Sequence, residues 1–377
     1  MSDWLRLFYH RHLYDIAGTE ALFFRAIREN VRHHLAHCPE YVTLVDRQGF
    51  SADVLRSPED LSKIPPLPTL YLKRRPLYSM RRDHLVLKST TSGTSGQASI
   101  VGLDRASVLR GLGMVMTTLR AHRLISPRPT NYIVLGYQPA KRNKIGAVRT
   151  AYATTFVAPP RHREYALRDT GEAYELNISG LRHALVSYEK QGCPVRFIGF
   201  PAYFRFLLTD LQRNGIRLRL HPKSLVMLGG GWKQFFAERI EKTALYALSA
   251  EILGIDAMRI REFFGVVEHQ VPYLDCPNHH FHIPIYARVI IRDVNTLEPV
   301  DYGTPGLLNL LTPIITSMPL TSVMTDDLAT LYPGIECGCG IDSPFFEIHG
   351  RADATDIITC ATGAAELLAD IVKKADR

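Results

Sequence analysis

The segment Thr90-Thr91-Ser92-Gly93-Thr94-Ser95-Gly96-Gln97 crowds hydroxyls and glycines into one turn after an alternating stretch. Backbone N–H groups and side-chain donors in such a turn can converge on phosphate oxygens. No Gly-Lys-Ser/Thr triplet closes it, so it is not a Walker A loop; taken alone it also reads as a flexible surface turn. A second set of residues has the chemistry of metal ligands: Cys276, the run Asn278-His279-His280-Phe281-His282, and Cys337-Gly338-Cys339-Gly340. Thiolates with an imidazole suit a tetrahedral zinc ion closed on all sides by protein, which would make it structural. Three further runs carry charge: Phe263-Phe264-Gly265-Val266-Val267-Glu268, Thr325-Asp326-Asp327-Leu328 and Gly350-Arg351-Ala352-Asp353. A carboxylate can bind a hard cation, an aspartate can accept two sugar O–H bonds, and an arginine is a permanent cation. Singly, such residues are ordinary members of surface ion pairs.

The chain that must position these groups has 377 residues, 46% hydrophobic and 22% charged. That is the profile of a water-soluble globular protein with two or three subdomains, neither fibrous nor disordered. The formal charge of +8 is spread along the chain, with runs at Lys73 to Arg75, Arg81-Arg82 and Lys141 to Lys144. These runs suit solvated faces and the approach of an anionic ligand, and no recognisable nucleic-acid motif accompanies them. The opening MSDWLRLFYHRHLYDIAG does not read as a signal peptide, and no apolar run is long enough to span a bilayer. A cytoplasmic protein is expected, in which six unevenly spaced cysteines argue for metal binding, catalysis or burial rather than a disulfide framework.

Periodicity predicts a helix over Ala21 to Cys38 and a helix start at Ser57-Pro58, with Ser57 as cap. A strand is expected from His84 to Ser89. Asp104 should cap a helix with Val108, Leu112, Val115 and Leu119 on one face. Strands follow at Tyr132 to Tyr137, Val195 to Phe200 and Ser224 to Leu228, with helices at Tyr203 to Leu211 and Lys233 to Leu248. This alternation implies an α/β sheet. From Tyr286 strands dominate, at Ala287 to Arg292, Gly306 to Leu311 and Leu328 to Tyr332, which implies a separate β-rich subdomain. The glycines Gly229, Gly230 and Gly231 would let backbone approach a flat ligand closely.

The order of the phosphate-type tract, the aromatic-Gly-x-x-Glu run, Thr325-Asp326-Asp327 and Gly350-Arg351-x-Asp353 resembles the adenylate-forming superfamily of acyl-CoA synthetases and adenylation domains. Within it, Ser57 to Leu77, Gly199-Phe200-Pro201 and Leu228 to Lys233 resemble the acyl-protein synthetases of bacterial bioluminescence, and other features resemble the phenylacetate-CoA ligase type. The resemblance covers most of the chain. It implies an adenylate-forming N-terminal domain over 1–349, with two α/β subdomains and a β-rich subdomain over about 286–349, followed by a truncated C-terminal tail with its hinge over 350–377.

It also implies roles. Thr91, Ser92, Gly93, Thr94, Ser95 and Gly96 would hold phosphates, and Gly229, Gly230, Gly231, Phe264 and Gly265 would line the nucleotide or the activated carboxyl. Glu268 would bind magnesium, Asp327 the ribose hydroxyls, and Arg351 the ribose or phosphate. Val267 and Asp326 depart from the superfamily's Thr and Gly. Comparable cysteine and histidine elements in phenylacetate-CoA ligase relatives imply zinc on Cys276, His282, Cys337 and Cys339, with His280 as the next imidazole. This sequence ends 27 residues after Gly350, so most of the superfamily's mobile domain, with its lysine, is expected to be absent, and Lys233 becomes the candidate substitute cation. Cys360, just before an expected helix from Ala364 to Lys374, matches the acylated cysteine by location. A nearby helix N-terminus favours its thiolate, although burial as a small hydrophobe is the competing reading.

The implied reaction uses ATP and Mg2+ to turn a fatty or aromatic carboxylic acid into an acyl-adenylate. The acyl group then passes to an enzyme cysteine or an external acceptor: a reductase, an acyl-carrier protein or coenzyme A. Two alternatives stay open, an acyl-CoA or acyl-carrier-protein ligase and a non-catalytic zinc-stabilised nucleotide-binding protein.

Overall fold

The computed structural model describes residues 2–90, 100–140 and 146–351. They fall into two compact units, one drawn from 2–118, 265–273 and 280–351, the other from 119–264 and 274–279.

The second unit is built on a sheet of seven strands. The strands Thr130–Tyr137, Pro160–Asp169, Val195–Gly199, Leu225–Gly229 and Ile260–Phe264, in chain order, lie side by side as second, first, third, fourth, fifth. All four contacts between these neighbours are parallel. Apolar side chains occupy both faces, as parallel strands flanked by other layers require: Thr130–Tyr137 is buried at every position but the last. One face carries Ile133, Leu135, Phe197, Val226 and Leu228, packed on Leu181, Leu185, Leu207, Leu211 and Leu253 of three helices. Each fully buried Leu or Phe of this kind is worth about 1.5–3 kcal/mol. Tyr174–Leu176 and Tyr273–Leu274 complete the sheet at its edges.

The first unit holds a six-stranded sheet. Its antiparallel path runs Phe281–His282, Phe345–Arg351, Ser322–Tyr332, Pro305–Leu311, Arg288–Arg292, and Leu67–Pro68 adds to Ser322–Tyr332 in parallel. The helix Ile16–His37 docks through polar anchors: Asn30 Nδ2 donates to the Ile315 carbonyl at 2.8 Å, and His34 Nδ1 lies 2.7 Å from Ser79 Oγ. Arg292, buried in the sheet, ties the chain together by donating to Asn309 Oδ1 and to the carbonyls of Leu297 and Ser62. A two-stranded antiparallel ribbon, Leu87–Thr90 with Ile100–Leu103, ends with Thr90 opposite Ile100.

Several expectations are corrected. The Ser57 start is present, with a capping box closed by Asp60, but the turn it opens is a 3-10 helix, Pro58–Lys63. The strand expected at His84 begins at Leu87, after a 3-10 turn over Arg82–His84. Asp104 does accept from the Ser107 N–H at the head of Arg105–Ala121, and that helix buries Ser107, Arg110, Met114, Thr118 and, of the expected apolar face, Leu119. Leu109, Leu112 and Val115 face outward. The buried guanidinium of Arg110 explains the rotation, because its ring-stacked position 4.1 Å over Trp4 and its bond to the Ile314 carbonyl make the polar side the docked one. The helix expected over Lys233 to Leu248 splits into a 3-10 turn, Lys233–Glu238, and a helix, Lys242–Leu253, which ends on Gly254. Among the described residues no helix is long and apolar enough to cross a membrane.

Candidate functional site

In sheets with this strand order, ligands lie outside the carboxyl ends of the strands, at the point where the order reverses. Here that point falls between Thr130–Tyr137 and Val195–Gly199. The third, fourth and fifth parallel strands end at Gly199, Gly229 and Phe264, and register pairs Gly199 with Leu228 and Gly229 with Phe263. Gly199 has φ +138, and a Cβ there would collide with the Leu135 carbonyl, so the chain can turn into the Pro201–Arg213 helix at this strand pair only without a side chain. Gly230 and Gly231 continue from the next strand. Phe200, Tyr203, Phe206 and Phe235 form an aromatic cluster beside this edge, with Phe206 and Phe235 in edge contact at 5.0 Å.

In the other unit, Glu268 is 1% exposed and its Oε1 has no hydrogen-bond partner among the described residues. A buried carboxylate oxygen left this way is costly unless a cation meets it, so the residue fits a magnesium ligand. The sequence did not mark its neighbour His269, which is fully buried, has Nε2 2.9 Å from Tyr273 Oη, and leaves Nδ1 without a partner among the described residues. Burial alone lowers its pKa from 6.5 to about 3, so the imidazole is neutral. Asp327 and Arg351 stand opposite each other in the antiparallel pair of Ser322–Tyr332 with Phe345–Arg351. Arg351 Nε lies 3.7 Å from Asp327 Oδ1 and Nη1 lies 3.8 Å from Asp326 Oδ2. Gly350 and Arg351 are thus the end of a strand. Lys233 opens its 3-10 turn. Residues Thr91 to Gly96, Cys360 and the expected helix from Ala364 lie outside the described residues, as does the side chain of Lys233.

The metal-type residues do come together. Cys276, His282, Cys337 and Cys339 offer ligand atoms that all lie within 4.8 Å of one another. A tetrahedron with zinc–sulfur bonds near 2.3 Å sets sulfurs about 3.8 Å apart, so the four fit that ion with small adjustment. Local structure explains the convergence. Gly338 and Gly340 have φ +68 and +86, the left-handed values that fold Cys337-x-Cys339 into a knuckle with both sulfurs on one side. His282 Nδ1 lies 2.7 Å from the Ser343 carbonyl, which accepts its proton and leaves Nε2, 3.2 Å from Cys339 Sγ, to coordinate. Burial lowers the His282 pKa and keeps the ring neutral, as a ligand must be. Asp275 is fully buried, accepts from the Glu262 N–H at 2.9 Å, and pairs with His279 Nδ1 at 3.0 Å, which fixes the chain just before Cys276.

Known proteins share this architecture. The family model described as acyl-protein synthetase, LuxE, matches residues 14–369. The long-chain-fatty-acid–luciferin-component ligase of Vibrio harveyi is 26% identical over 325 residues, covering 84% of this chain and 80% of that protein. The ligase of the same description from Aliivibrio fischeri is 24% identical over 322 residues, covering 82% of each. In fold, the chain is similar to an open conformation of 2-hydroxyisobutyryl-CoA ligase, with TM-score 0.66, 15% identity, and 91% of this chain and 72% of that one covered. The postadenylation state of that ligase gives TM-score 0.66 at 16% identity, over 91% and 70% of the two chains. The fold is therefore that of the adenylate-forming enzymes. The chain belongs to the LuxE acyl-protein synthetase family, and its reaction class is ATP-dependent activation of a carboxylic acid followed by acyl transfer.

Proposed function

We propose that the chain activates a long-chain fatty acid with Mg-ATP and passes the acyl group, as a thioester, to a cysteine of its own or to an external thiol. The observation that carries this reading is the carboxyl edge of the parallel sheet: Gly199, Gly229 to Gly231 and Phe264, assigned to nucleotide and acyl group by family likeness, all belong to that one edge. The acid's carboxylate oxygen attacks the α-phosphorus, the bond to the pyrophosphate oxygen breaks, and pyrophosphate leaves. A sulfur nucleophile then attacks the acyl carbon and AMP departs. The protein's part is to position reactants and meet developing charge.

Within this reading, Thr91 to Gly96 hold the phosphates, Glu268 holds magnesium, Asp327 and Arg351 meet the ribose, and Lys233 supplies a cation at the α-phosphate. A resident magnesium ion would supply charge neutralisation at the phosphates. The fatty-acid class is taken from the two bacterial relatives, and the aromatic cluster Phe200, Tyr203, Phe206 and Phe235 supports an apolar acyl chain at the same edge. Cys360 is the acyl-carrying residue by its place in the sequence; a reductase, an acyl-carrier protein or coenzyme A would receive the group next. Zinc on Cys276, His282, Cys337 and Cys339 is structural, since four protein atoms close its coordination.

Fatty-acid-dependent exchange of labelled pyrophosphate into ATP tests the first step, and its absence across chain lengths would sink the reading. Intact-protein mass after incubation with ATP and acid is expected to show an acyl adduct on wild-type protein and none on Cys360→Ser. Exchange without any adduct would instead support direct delivery to an external thiol.

A further inference from the structure

His280 lies one strand step from the metal cluster, and a role for it there rests on the reading of that cluster as a zinc site. His280 immediately precedes the strand Phe281–His282, and its ring and that of His282 both reach the cysteine knuckle. His282 meets Cys339 and His280 meets Cys337: His280 Nδ1 is 3.1 Å from Cys337 Sγ. The two rings differ in what their second nitrogen does. His282 ties Nδ1 to a backbone carbonyl, leaving Nε2 for the metal. His280 has Nδ1 on sulfur and Nε2 3.2 Å from Glu347 Oε1, so neither nitrogen is left over, and its atoms do not belong to the four-atom cluster. Its ring is stacked on Phe345 at 4.3 Å with planes 14° apart, which fixes the direction of Nδ1.

We propose that His280 is the positioning residue of this metal site, donating Nδ1–H to the Cys337 thiolate. Three thiolates around one divalent ion leave a net negative charge in a buried place, and the sulfurs repel one another. A hydrogen bond to one of them spreads that charge and aims its remaining lone pair at the metal. Phe345 holds the donor's ring plane. This makes His280 distinct from a ligand: its removal weakens the metal without changing the donor set.

The experiment uses full-length protein purified with zinc, with chelator competition for affinity and cobalt substitution for the donor set. His280→Phe keeps the stack on Phe345 and removes the N–H. It is expected to bind stoichiometric metal with the wild-type cobalt absorption envelope, but about 10–100-fold more weakly. His280→Asn, whose amide N–H can reach the same sulfur, should regain most of the loss. His282→Ala should lose stoichiometric binding. Unchanged affinity in His280→Phe would overturn the proposal, as would no recovery in His280→Asn. An altered cobalt envelope in His280→Phe would also overturn it, by making His280 a ligand. Wild-type protein without zinc would remove the zinc reading itself, a result separable from all of these.

Discussion

At the scale of single residues, the proposed chemistry draws on buried groups that lack a partner among the described residues. Glu268 is the clearest, because a buried carboxylate whose Oε1 has no partner among the described residues destabilises the fold unless something else requires it. Glu268→Gln is expected to lower pyrophosphate exchange about 100-fold, the scale of losing one charge that meets the transition state. Its thermal midpoint should hold or rise, since a buried negative charge is removed. An exchange rate equal to wild type would take Glu268 out of the metal's surroundings. The sequence marked Glu268 through its motif. It did not mark His269 or Ser343, and it offered His280 only as a second-choice imidazole, because their parts depend on which atom of a neighbour they face.

At the scale of elements, position is set by backbone that only certain residues can adopt. Gly199 ends a central strand at φ +138 against the Leu135 carbonyl. Gly199→Ala forces both a strained dihedral and a backbone collision, so it should destabilise by about 2 kcal/mol or more, read from the midpoint of urea unfolding. A midpoint equal to wild type would show that the strand end has room for a side chain. The ligand knuckle at Cys337 to Gly340 is the same kind of device, and there the Cys-x-Cys spacing with glycines was legible in advance. The Arg105–Ala121 helix was not. Its cap at Asp104 could be read locally, but which face is buried was decided by Trp4 and the Ile314 carbonyl, distant in sequence.

At the scale of the whole molecule, the buried histidine that docks a helix makes stability depend on pH. His34 is completely buried, and burial, aided by the nearby His33 and His37, lowers its pKa from 6.5 to about 3. Between those values the unfolded chain binds a proton that the folded chain refuses. Stability therefore rises with pH across that window and is lost as pH falls below about 6.5, at up to about 1.4 kcal/mol per pH unit from this group. Urea midpoints at pH 7 and pH 5 should fall accordingly for wild type. His34→Gln, which keeps a polar group near Ser79 and cannot take up that proton, should show a smaller fall. Equal falls in the two proteins would place the acid sensitivity elsewhere.

By itself the sequence determined the reaction class and the pieces of the fold, because both are written in short patterns. Alternating apolar strands and helices specify a parallel sheet, and ordered runs of Ser/Thr/Gly, aromatic-Gly-x-x-Glu, Thr-Asp-Asp and Gly-Arg-x-Asp specify adenylate chemistry. The cysteines and the histidine run were likewise found by type and spacing, and family resemblance chose His282 among the histidines. Only the tertiary structure decided how those pieces face one another: that Asp327 and Arg351 share one register position, that His282 turns Nε2 toward Cys339 while His280 spends both nitrogens elsewhere, and that the outer face of the Arg105–Ala121 helix is apolar. The physical reason is range. Propensity, capping and turn chemistry act over a few neighbouring residues, whereas register, burial of a given helix face and the tautomer of a ring are settled by partners tens to hundreds of residues away.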